Sequence, residues 1–379
     1  MQATLCWGRA LPGGQQGQHN TTRATTRTTH GNTNSSHTTN TPQDLLPRPI
    51  RQAYLMENER LLTIRTTNIE KQKTETFGDS MKTKHCDSIR LVGQNIGCLG
   101  VRAFNNHKQD MGKEWLIKNN IDICCWQELG IALHMTKHQD RIHERMRDHR
   151  WGRIRISATN NRHESIDKMQ FGGTMAMAMN STAARVHASG ADETGLGRWA
   201  WLLFEGHNSY GTRVISAYIP CKQQGKKDAT VYAQHQRYYN SKGKNGCPRR
   251  NMIIELTDQI EKWQRKSENI VLFIDCNENL NKRGEVQRLL TDEKCNLIDP
   301  IRRRHNNKTP PPTYHRNSTY PIDSVFVSHK LRHIEAGGWL RFGEGIGDHR
   351  AIYFDIPMNL LLGENKFNQK FIDFSVNVK

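Results

Sequence analysis

The sequence has no long hydrophobic run, and several common enzyme signatures are missing from it. No stretch of its 379 residues approaches the roughly 18 apolar residues of a membrane span, and the N-terminus lacks the apolar core of a secretory signal. We therefore expect no membrane partner. No GxGxxG motif follows the first strand-like segment, which argues against a dinucleotide-binding fold. No GxSxG motif is present, which argues against a serine hydrolase.

Paired cysteines are also lacking. The nine cysteines are scattered and odd in number, with no CxxC pair and no Cys/His spacing typical of zinc. This pattern indicates reduced thiols and an intracellular protein. The adjacent Cys124 and Cys125 are predicted to face opposite sides of a strand, where they fill space.

Acidic residues are outnumbered by basic ones. The chain holds 55 Lys and Arg against 37 Asp and Glu, a net charge of +18. Residues 1–85 hold 11 basic and 6 acidic side chains, so the remaining 44 and 31 make the rest of the chain basic too. A basic protein favours a polyanionic partner. We therefore expect a nucleic-acid partner, and separately a nuclear location and a monomer.

Large apolar side chains are few in residues 1–85. The stretch 21–43 is a Thr/Asn/Ser tract without helical or strand periodicity, and such a segment buries too little surface to offset the entropy of ordering it. Residues 1–85 are therefore predicted to be a disordered basic tail, residues 86–357 a catalytic domain, and residues 358–379 a C-terminal tail.

Strand-like and helix-like segments alternate in the first half of the predicted domain, and strands cluster in the second. The alternation of Arg and Ile in GRIRIS (152–157) is typical of a half-exposed strand, and RRNMIIELTDQIEKWQRK (249–266) has a helical pattern. We infer an α/β fold with mixed sheets rather than a doubly wound parallel sheet.

Polar side chains recur where predicted strands end. VLFIDCNENL (271–280) is the clearest case, because four apolar residues run directly into Asp275 and Asn277. Any one of these residues is more commonly a turn former or a helix cap. If the strands share one edge, however, the polar residues converge in one cleft. The full set is Asn95, Glu128, Tyr218, Asp275, Asn277, Asp323, Asp348 and His349.

These residue types suit the hydrolysis of a phosphate ester. Glu and Asp offer the oxygen ligands that Mg²⁺ prefers, and a His next to an Asp can stabilise charge on a phosphoryl oxygen. Together they match attack by a metal-activated water. We expect Mg²⁺ as cofactor, with Mn²⁺ as a substitute.

The order of the motifs resembles the endonuclease/exonuclease/phosphatase, or DNase I-like, superfamily, and in particular the endonuclease domains of retrotransposons. The resemblance spans residues 88–357 and depends on CCWQE, FIDCNEN, YPIDSVFVS and GDHRAI. Residues 230–263 also resemble endonuclease-like domains of mobile elements. The resemblance implies a four-layer α/β sandwich, in which two mostly antiparallel mixed sheets pack face to face between flanking helices.

The resemblance also implies the metal and water ligands. Glu128 would be the principal metal ligand, with Asp348 completing the site and Asn95 holding the metal and its waters. Asp275 would orient or deprotonate the attacking water.

Other residues would contact the phosphate. His349 would hydrogen-bond a non-bridging oxygen, with Asp323 on its other nitrogen. Asn277 would contact the scissile phosphate, and Tyr218 the phosphate or the leaving group.

Basic residues near these motifs are candidates for nucleic-acid binding, although exposed loops commonly carry such charges. They are Lys222, Lys226, Lys227, Arg302, Arg303 and Arg304.

The chain also departs from the family pattern. Gly97 replaces a common acidic residue, Cys221 replaces the Asn of repair-type members, Cys276 stands in place of Phe, and Pro321 replaces a basic residue. The first two argue against a dedicated abasic-site enzyme.

The sequence thus predicts a Mg²⁺-dependent phosphodiesterase, a DNA endonuclease of mobile-element type. Two alternatives stay open at this point. One is a phosphoesterase of the same fold that acts on a phosphoinositide or another small phosphate ester. The other is an inactive mobile-element remnant or a basic DNA-binding module.

Overall fold

A computed structural model describes residues 75–99, 107–164, 169–206, 210–222, 228–315 and 318–363. In these ranges no helix is both long enough and apolar enough to cross a membrane.

The first sheet contains seven strands among the described residues. Their order is β1-β12-β13-β2-β3-β5-β4, with β2 and β3 parallel and the other pairs antiparallel. The strands are β1 (Phe77–Gly78), β2 (Ser88–Asn95), β3 (Ile123–Gln127), β4 (Ile154–Thr159), β5 (Thr174–Met179), β12 (Ala336–Trp339) and β13 (Ile352–Pro357).

The second sheet contains six strands in the same part of the chain. Their order is β10-β11-β9-β8-β7-β6, with β8 and β9 parallel. The strands are β6 (Val186–Ala191), β7 (Trp199–Glu205), β8 (Gly211–Tyr218), β9 (Asn269–Asp275), β10 (Leu297–Ile298) and β11 (Asp323–Ser328).

Helices connect and cover the strands. They are α1 (His107–Lys118), α2 (Thr136–Met146), α3 (Asn180–Ala184), α4 (Val231–Ser241), α5 (Pro248–Arg265), α6 (Glu285–Arg288), α7 (Pro300–Arg304) and α8 (Met358–Leu362). A π-helical turn, Leu289–Glu293, follows α6, and a 3₁₀ turn, His329–Leu331, follows β11.

The inner faces of the two sheets form the central core. Leu91, Cys125 and Ala176 of the first sheet share an apolar cluster with Phe273 and Val325 of the second. The helices cover the outer faces. Side chains alternate between the two faces of a strand. Cys124, which precedes Cys125, therefore lies in a different apolar cluster, together with Leu116 of α1 and Met177.

Helix α5 covers the outer face of the second sheet. Its residues Leu256 and Ile260 pack in one cluster with Leu272 of β9. The two sheets between two helical layers are the four-layer α/β sandwich predicted from the motifs, which is thereby confirmed.

Several elements differ from the sequence prediction at their limits. Strand β1 lies before residue 86, where Phe77 pairs with Trp339, and α8 lies after residue 357 with Leu361 buried. The candidate contacts Arg302, Arg303 and Arg304 lie on the short helix α7 rather than in an exposed loop.

Candidate active site

Three candidate residues of the second sheet lie in one row. Tyr218 ends β8 and is the register partner of Asp275, which ends β9. Asp275 is in turn the partner of Asp323. Asp323 is the first residue of β11. Because β11 runs antiparallel to β9, its first residue reaches the edge at which β8 and β9 end.

Buried side-chain hydrogen bonds link this row to the first sheet. Asn95, at the end of β2, donates through Nδ2 to Asp275 Oδ2 at 2.8 Å and accepts the Gly97 N–H on Oδ1 at 2.9 Å. Nearby, Gln127 Nε2 at the end of β3 donates to Ser216 Oγ of β8 at 2.9 Å. These bonds fix the two sheet edges relative to each other.

His349 precedes β13 and is held from three sides. Its Nδ1 lies 2.8 Å from Asp323 Oδ2, and its carbonyl oxygen accepts a hydrogen bond from Gln94 Nε2 at 2.8 Å. The ring of Tyr314 packs against the imidazole with centroids 4.8 Å apart. With a carboxylate on Nδ1, the ring has a fixed orientation, and Nε2 is the atom available to a substrate.

The carboxylates around His349 favour its charged form. Burial lowers the pKa of an imidazole, but the charge and hydrogen bond of Asp323, together with the charges of Asp275 and Glu128, outweigh burial and raise the pKa of His349 to about 10. The ring therefore carries a proton on both nitrogens at neutral pH.

We expect the ring of His349 to titrate near pH 10 in the metal-free protein. Above that pH the cation is lost, and below it the cation is retained. Asp323→Asn removes the charge that contributes most to raising the pKa of His349 and is therefore expected to lower that pKa. Histidine-detected NMR titration checks this, with His349→Gln identifying the resonance. A titration at an ordinary pKa, unchanged by Asp323→Asn, would contradict it.

Asp275 is buried, and the pKa of its carboxyl group is raised. Burial raises its pKa well above the ordinary value, and the charges of Asp323 and Glu128 raise it further, against the opposing effects of His349 and Asn95. A carboxylate with a raised pKa accepts a proton more readily. Asp275 is therefore suited to take a proton from water.

Asn277 follows Asp275 in a left-handed backbone conformation with φ of 45°. Its N–H donates to Asp275 Oδ1 at 2.9 Å, and its Nδ2 donates to the Ile219 carbonyl at 2.8 Å. Its Oδ1 accepts from the Cys221 thiol at 2.8 Å. The turn after β9 is thus tied to the turn after β8, and the amide of Asn277 has a fixed orientation.

Glu128 follows β3 and also has a left-handed backbone, with φ of 54°. Asn tolerates this conformation, but for Glu it costs about 1–2 kcal/mol. Residues strained in this way cluster at functional sites. The carboxylate of Glu128 accepts a hydrogen bond from Tyr218, whose own pKa is raised well above its usual value by burial and by the charge of Glu128.

Asp348 lies beside the segment that follows β2. A Cβ added to Gly97 would lie 2.9 Å from Asp348 Oδ1, and Gly97 has a φ of 55°. The Asp348 carboxylate therefore lies next to the space that a side chain at position 97 would take. Lys108 of α1 donates to the Ile96 carbonyl, and Asp348 contributes to its electrostatic environment.

The arrangement fits a divalent cation. Ligand-type atoms of Asp275, Asp323 and His349 lie within 4.8 Å of one another; because the protonated His349 has no free lone pair, the two carboxylates are the groups whose charge a cation would neutralise. Among the described residues, Asp323 Oδ1 is buried without a hydrogen-bond partner. A buried oxygen without a partner is costly, and several carboxylates at one place repel each other, so a cation would offset both effects.

The candidate nucleic-acid contacts are placed differently from one another. Lys222 is exposed after β8, whereas Lys226 and Lys227 lie outside the described residues. Arg302 and Arg303 line a cavity of about 490 Å³ beside β11. Arg304 instead pairs with Asp79 at 2.6 Å and bonds the Ile334 carbonyl, so it holds the β1 segment in place.

Arg249 was not predicted from the sequence. It is buried at the start of α5 and donates to the carbonyl oxygens of Pro220, Cys276 (3.0 Å) and Asn277 (3.2 Å). It therefore holds both turns that carry site residues. One arginine next to another at a helix start gives no sequence signal for this role.

Replacing Arg249 with Met should lower kcat for phosphodiester cleavage about tenfold or more, while KM changes little. The reason is that three backbone carbonyls lose their hydrogen-bond donor, so the turn that carries Asn277 is no longer held in place. Arg250→Met, at the exposed neighbour paired with Glu285, is the matched control. Added methylguanidinium should partly restore the activity of Arg249→Met. Equal loss in both variants, or no rescue, would argue against a positioning role.

Comparisons with known proteins support the fold. No protein-family model and no curated protein sequence matches the chain. Among solved structures, it is similar to the AP endonuclease LMAP from Leishmania major, with a TM-score of 0.54 and 13% identity over 74% of this chain and 93% of that one. It is also similar to the APE2 catalytic domain from Xenopus laevis, with a TM-score of 0.50 and 14% identity over 71% and 92% of the two chains.

These similarities agree with the resemblance seen in the motifs. At 13% and 14% identity, the likeness lies in the architecture rather than in the sequence. The chain has the DNase I-like endonuclease/exonuclease/phosphatase fold.

Proposed function

We propose that the protein is a Mg²⁺-dependent phosphodiesterase that cleaves nucleic acid, a DNA endonuclease of mobile-element type. The observation that carries this proposal is the connected set Asn95, Asp275, Asp323 and His349, which hydrogen bonds and strand register join across the two sheet edges. Glu128 and Tyr218 lie against the same set.

Asp275 acts on the attacking water. Its carboxylate is held by Asn95 and by the Asn277 N–H, so its direction is fixed. Its raised pKa favours acceptance of the proton as the water attacks the phosphorus. The P–O bond to the leaving oxygen then breaks, and the Tyr218 hydroxyl would contact the phosphate or that oxygen.

His349 stabilises the charge that develops on the phosphoryl group. The cation donates from Nε2 to a non-bridging oxygen, while Asp323 holds Nδ1. Asn277 adds a second contact, because an amide nitrogen has two N–H donors and only one is used on Ile219.

Glu128, with Asp348 and Asn95, would hold the Mg²⁺ ion. When bound, the ion supplies positive charge to the phosphate oxygens and acidifies its water. Mn²⁺, which also prefers oxygen ligands, is expected to substitute.

Nucleic acid is the proposed substrate because of charge. The net charge is +18, and the chain after residue 85 is itself basic. Exposed cations attract a polyphosphate backbone. DNA is favoured because one of the similar solved structures is named as an AP endonuclease. The mobile-element origin is supported by the resemblance of residues 230–263. We further propose that the protein acts in the nucleus and as a monomer.

A side-by-side assay tests the choice of substrate. Purified protein with Mg²⁺ is incubated with supercoiled plasmid and, separately, with soluble phosphoinositide head groups. We expect nicked plasmid and no released inorganic phosphate. Phosphate release without nicking would replace the proposal with the small-ester alternative, and inactivity on both would favour a remnant or a binding module.

A further inference from the structure

Basic side chains line a cleft between the end of α2 and the start of β4, with a volume of about 650 Å³. Ser157 Oγ of β4 donates to the Gly190 carbonyl of β6 at 2.7 Å, so the cleft lies where edge strands of the two sheets meet. We call it the basic cleft. Its charged and titratable lining residues are His143, Arg147, Asp148, His149, Arg153 and Arg155.

The carboxylate of the basic cleft is already paired with cations that do not line it. Arg150 Nε donates to Asp148 Oδ1 at 2.8 Å, and Lys113 Nζ lies 3.8 Å from Asp148 Oδ2. The hydrogen bond from Arg150 holds the pKa of Asp148 well below its usual range, so Asp148 stays ionised. Its charge is thus balanced by Arg150 and Lys113 and leaves the charge of the lining arginines in place.

The three arginines of the basic cleft have no acidic partner among the described residues. The side chains of Arg147, Arg153 and Arg155 are exposed and form no ion pair there. Burial lowers the pKa of His143, and the charge of Arg147 lowers it further. Because like charges close together repel one another, an anion bound in the cleft would be stabilised.

Strand β4 fixes two of these arginines on one face. Arg153 directly precedes β4, and Arg155 is its second residue. Between and after them, Ile154 and Ile156 pack against the apolar cluster on the outer face of the first sheet. Side chains alternate along a strand, so the two guanidinium groups project side by side on the other face.

The basic cleft is remote from the candidate active site. Strand register runs from Thr159, at the end of β4, through Thr174 to Gln127, the residue before Glu128. Arg153 precedes Thr159 by six residues, which corresponds to about 20 Å of extended strand. The cleft therefore lies toward the end of the first sheet that is opposite to the site residues.

Arginines without acidic partners suit the phosphates of a nucleic-acid backbone. A planar guanidinium binds a phosphate through two parallel N–H donors. A duplex rises about 3.4 Å per base pair, so about 20 Å corresponds to about six base pairs. A nucleic acid held at the candidate site carries phosphates at this distance from the cut, whereas a small phosphate ester does not.

We propose that the basic cleft is a second binding surface for nucleic acid, in which Arg147, Arg153 and Arg155 hold backbone phosphates about six or more base pairs from the cleaved bond. The cleft contributes affinity and leaves the chemistry to the residues at the opposite end of the sheet. This inference rests on the proposed function, because it takes nucleic acid as the substrate.

Binding in EDTA tests the inference without cleavage. The anisotropy of a labelled duplex of about 30 base pairs is measured with each protein at several salt concentrations. Arg153→Gln/Arg155→Gln should bind about tenfold more weakly than the parent, and the slope of log affinity against log salt should be less steep by about two. Arg153→Lys/Arg155→Lys keeps both charges and should retain the parental slope.

The matched control removes two charges elsewhere. Arg283→Gln/Arg288→Gln alters exposed arginines that pair with Asp292 at 2.6 Å and Glu293 at 2.9 Å. We expect this control to bind the duplex within about twofold of the parent. Equal weakening in the two Gln double variants would reveal a general effect of net charge and overturn the inference.

Two other results would also overturn it. One is parental binding of the duplex by Arg153→Gln/Arg155→Gln. The other is binding of the parent to anionic phospholipid vesicles that this variant loses while it still binds the duplex, because the cleft would then serve a membrane surface.

Cleavage separates this inference from the proposed function. With Mg²⁺, Arg153→Gln/Arg155→Gln should raise KM for plasmid nicking about tenfold and leave kcat within about twofold, because the cleft is remote from the reacting atoms. A parent that binds the duplex through the cleft without nicking plasmid would contradict the proposed function and leave the inference standing. Nicking with an unchanged KM in the variant would contradict the inference alone.

Discussion

Replacing Asp275 with Asn is expected to lower the rate of plasmid nicking by about 10²–10⁴-fold, because the carboxamide cannot accept a proton from the attacking water. The substitution changes little else in shape. In the parent protein the Asn277 N–H donates to Asp275 Oδ1 at 2.9 Å, and the carboxamide oxygen of the variant can accept the same hydrogen bond. The rate of nicking under substrate-saturating conditions measures the effect.

The same variant should stay folded, which distinguishes lost chemistry from lost structure. Burial and the charges of Asp323 and Glu128 raise the pKa of Asp275, so its ionised form opposes folding above the ordinary carboxyl pKa. Removing that charge offsets the weakened contact with Asn95. We expect a melting temperature in EDTA at neutral pH no lower than that of the parent. An active variant, or an inactive one that is unfolded, would contradict this account of Asp275.

Replacing His349 with Gln should lower kcat by about 10²–10³-fold, the usual cost of losing one preorganised stabiliser of developing charge. Gln can donate a hydrogen bond but cannot carry the charge that the Asp323 contact supports. The control is His329→Gln, since His329 is an exposed histidine whose ring contacts Asn296. We expect the control to retain parental activity. A His349→Gln variant within threefold of the parent would remove His349 from the mechanism.

Much of the architecture could be predicted from the sequence because apolar periodicity is a local signal. Cys124 and Cys125 lie in the clusters on opposite faces of the first sheet, as predicted for neighbours in a strand. The strand at 271–275 ends on Asp275, as its abrupt change from apolar to polar residues indicates. Short strands such as β1, at the edge of the first sheet, and its neighbour β12 carry too few residues for a pattern to emerge.

The convergence of the site residues depended on strand direction, which the sequence does not show. Asp275 lies at the end of a strand and Asp323 at the start of one, and they are neighbours only because those strands are antiparallel. Motif order, through its resemblance to a known family, supplied that information indirectly. Local composition alone could not show which strands are antiparallel neighbours.

Other features of the site arise from three-dimensional packing and have no local signature. The left-handed backbone of Glu128 is imposed by hydrogen bonds of Leu129 and Gly130 to a segment more than 40 residues away in sequence. Arg249 serves two turns that are remote from it in the chain. The pairing of Arg304 with Asp79 likewise joins residues 225 positions apart.

The most direct test of the central claim is plasmid nicking by the parent protein and by Glu128→Gln, each with Mg²⁺ and with EDTA. Glu128 is the proposed principal metal ligand, and Gln keeps its size while removing its charge. We predict nicking by the parent with Mg²⁺, none with EDTA, and a rate at least 100-fold lower for Glu128→Gln, recovered in part at high Mn²⁺. Nicking that persists in EDTA, or that is equal in the two proteins, would contradict the account.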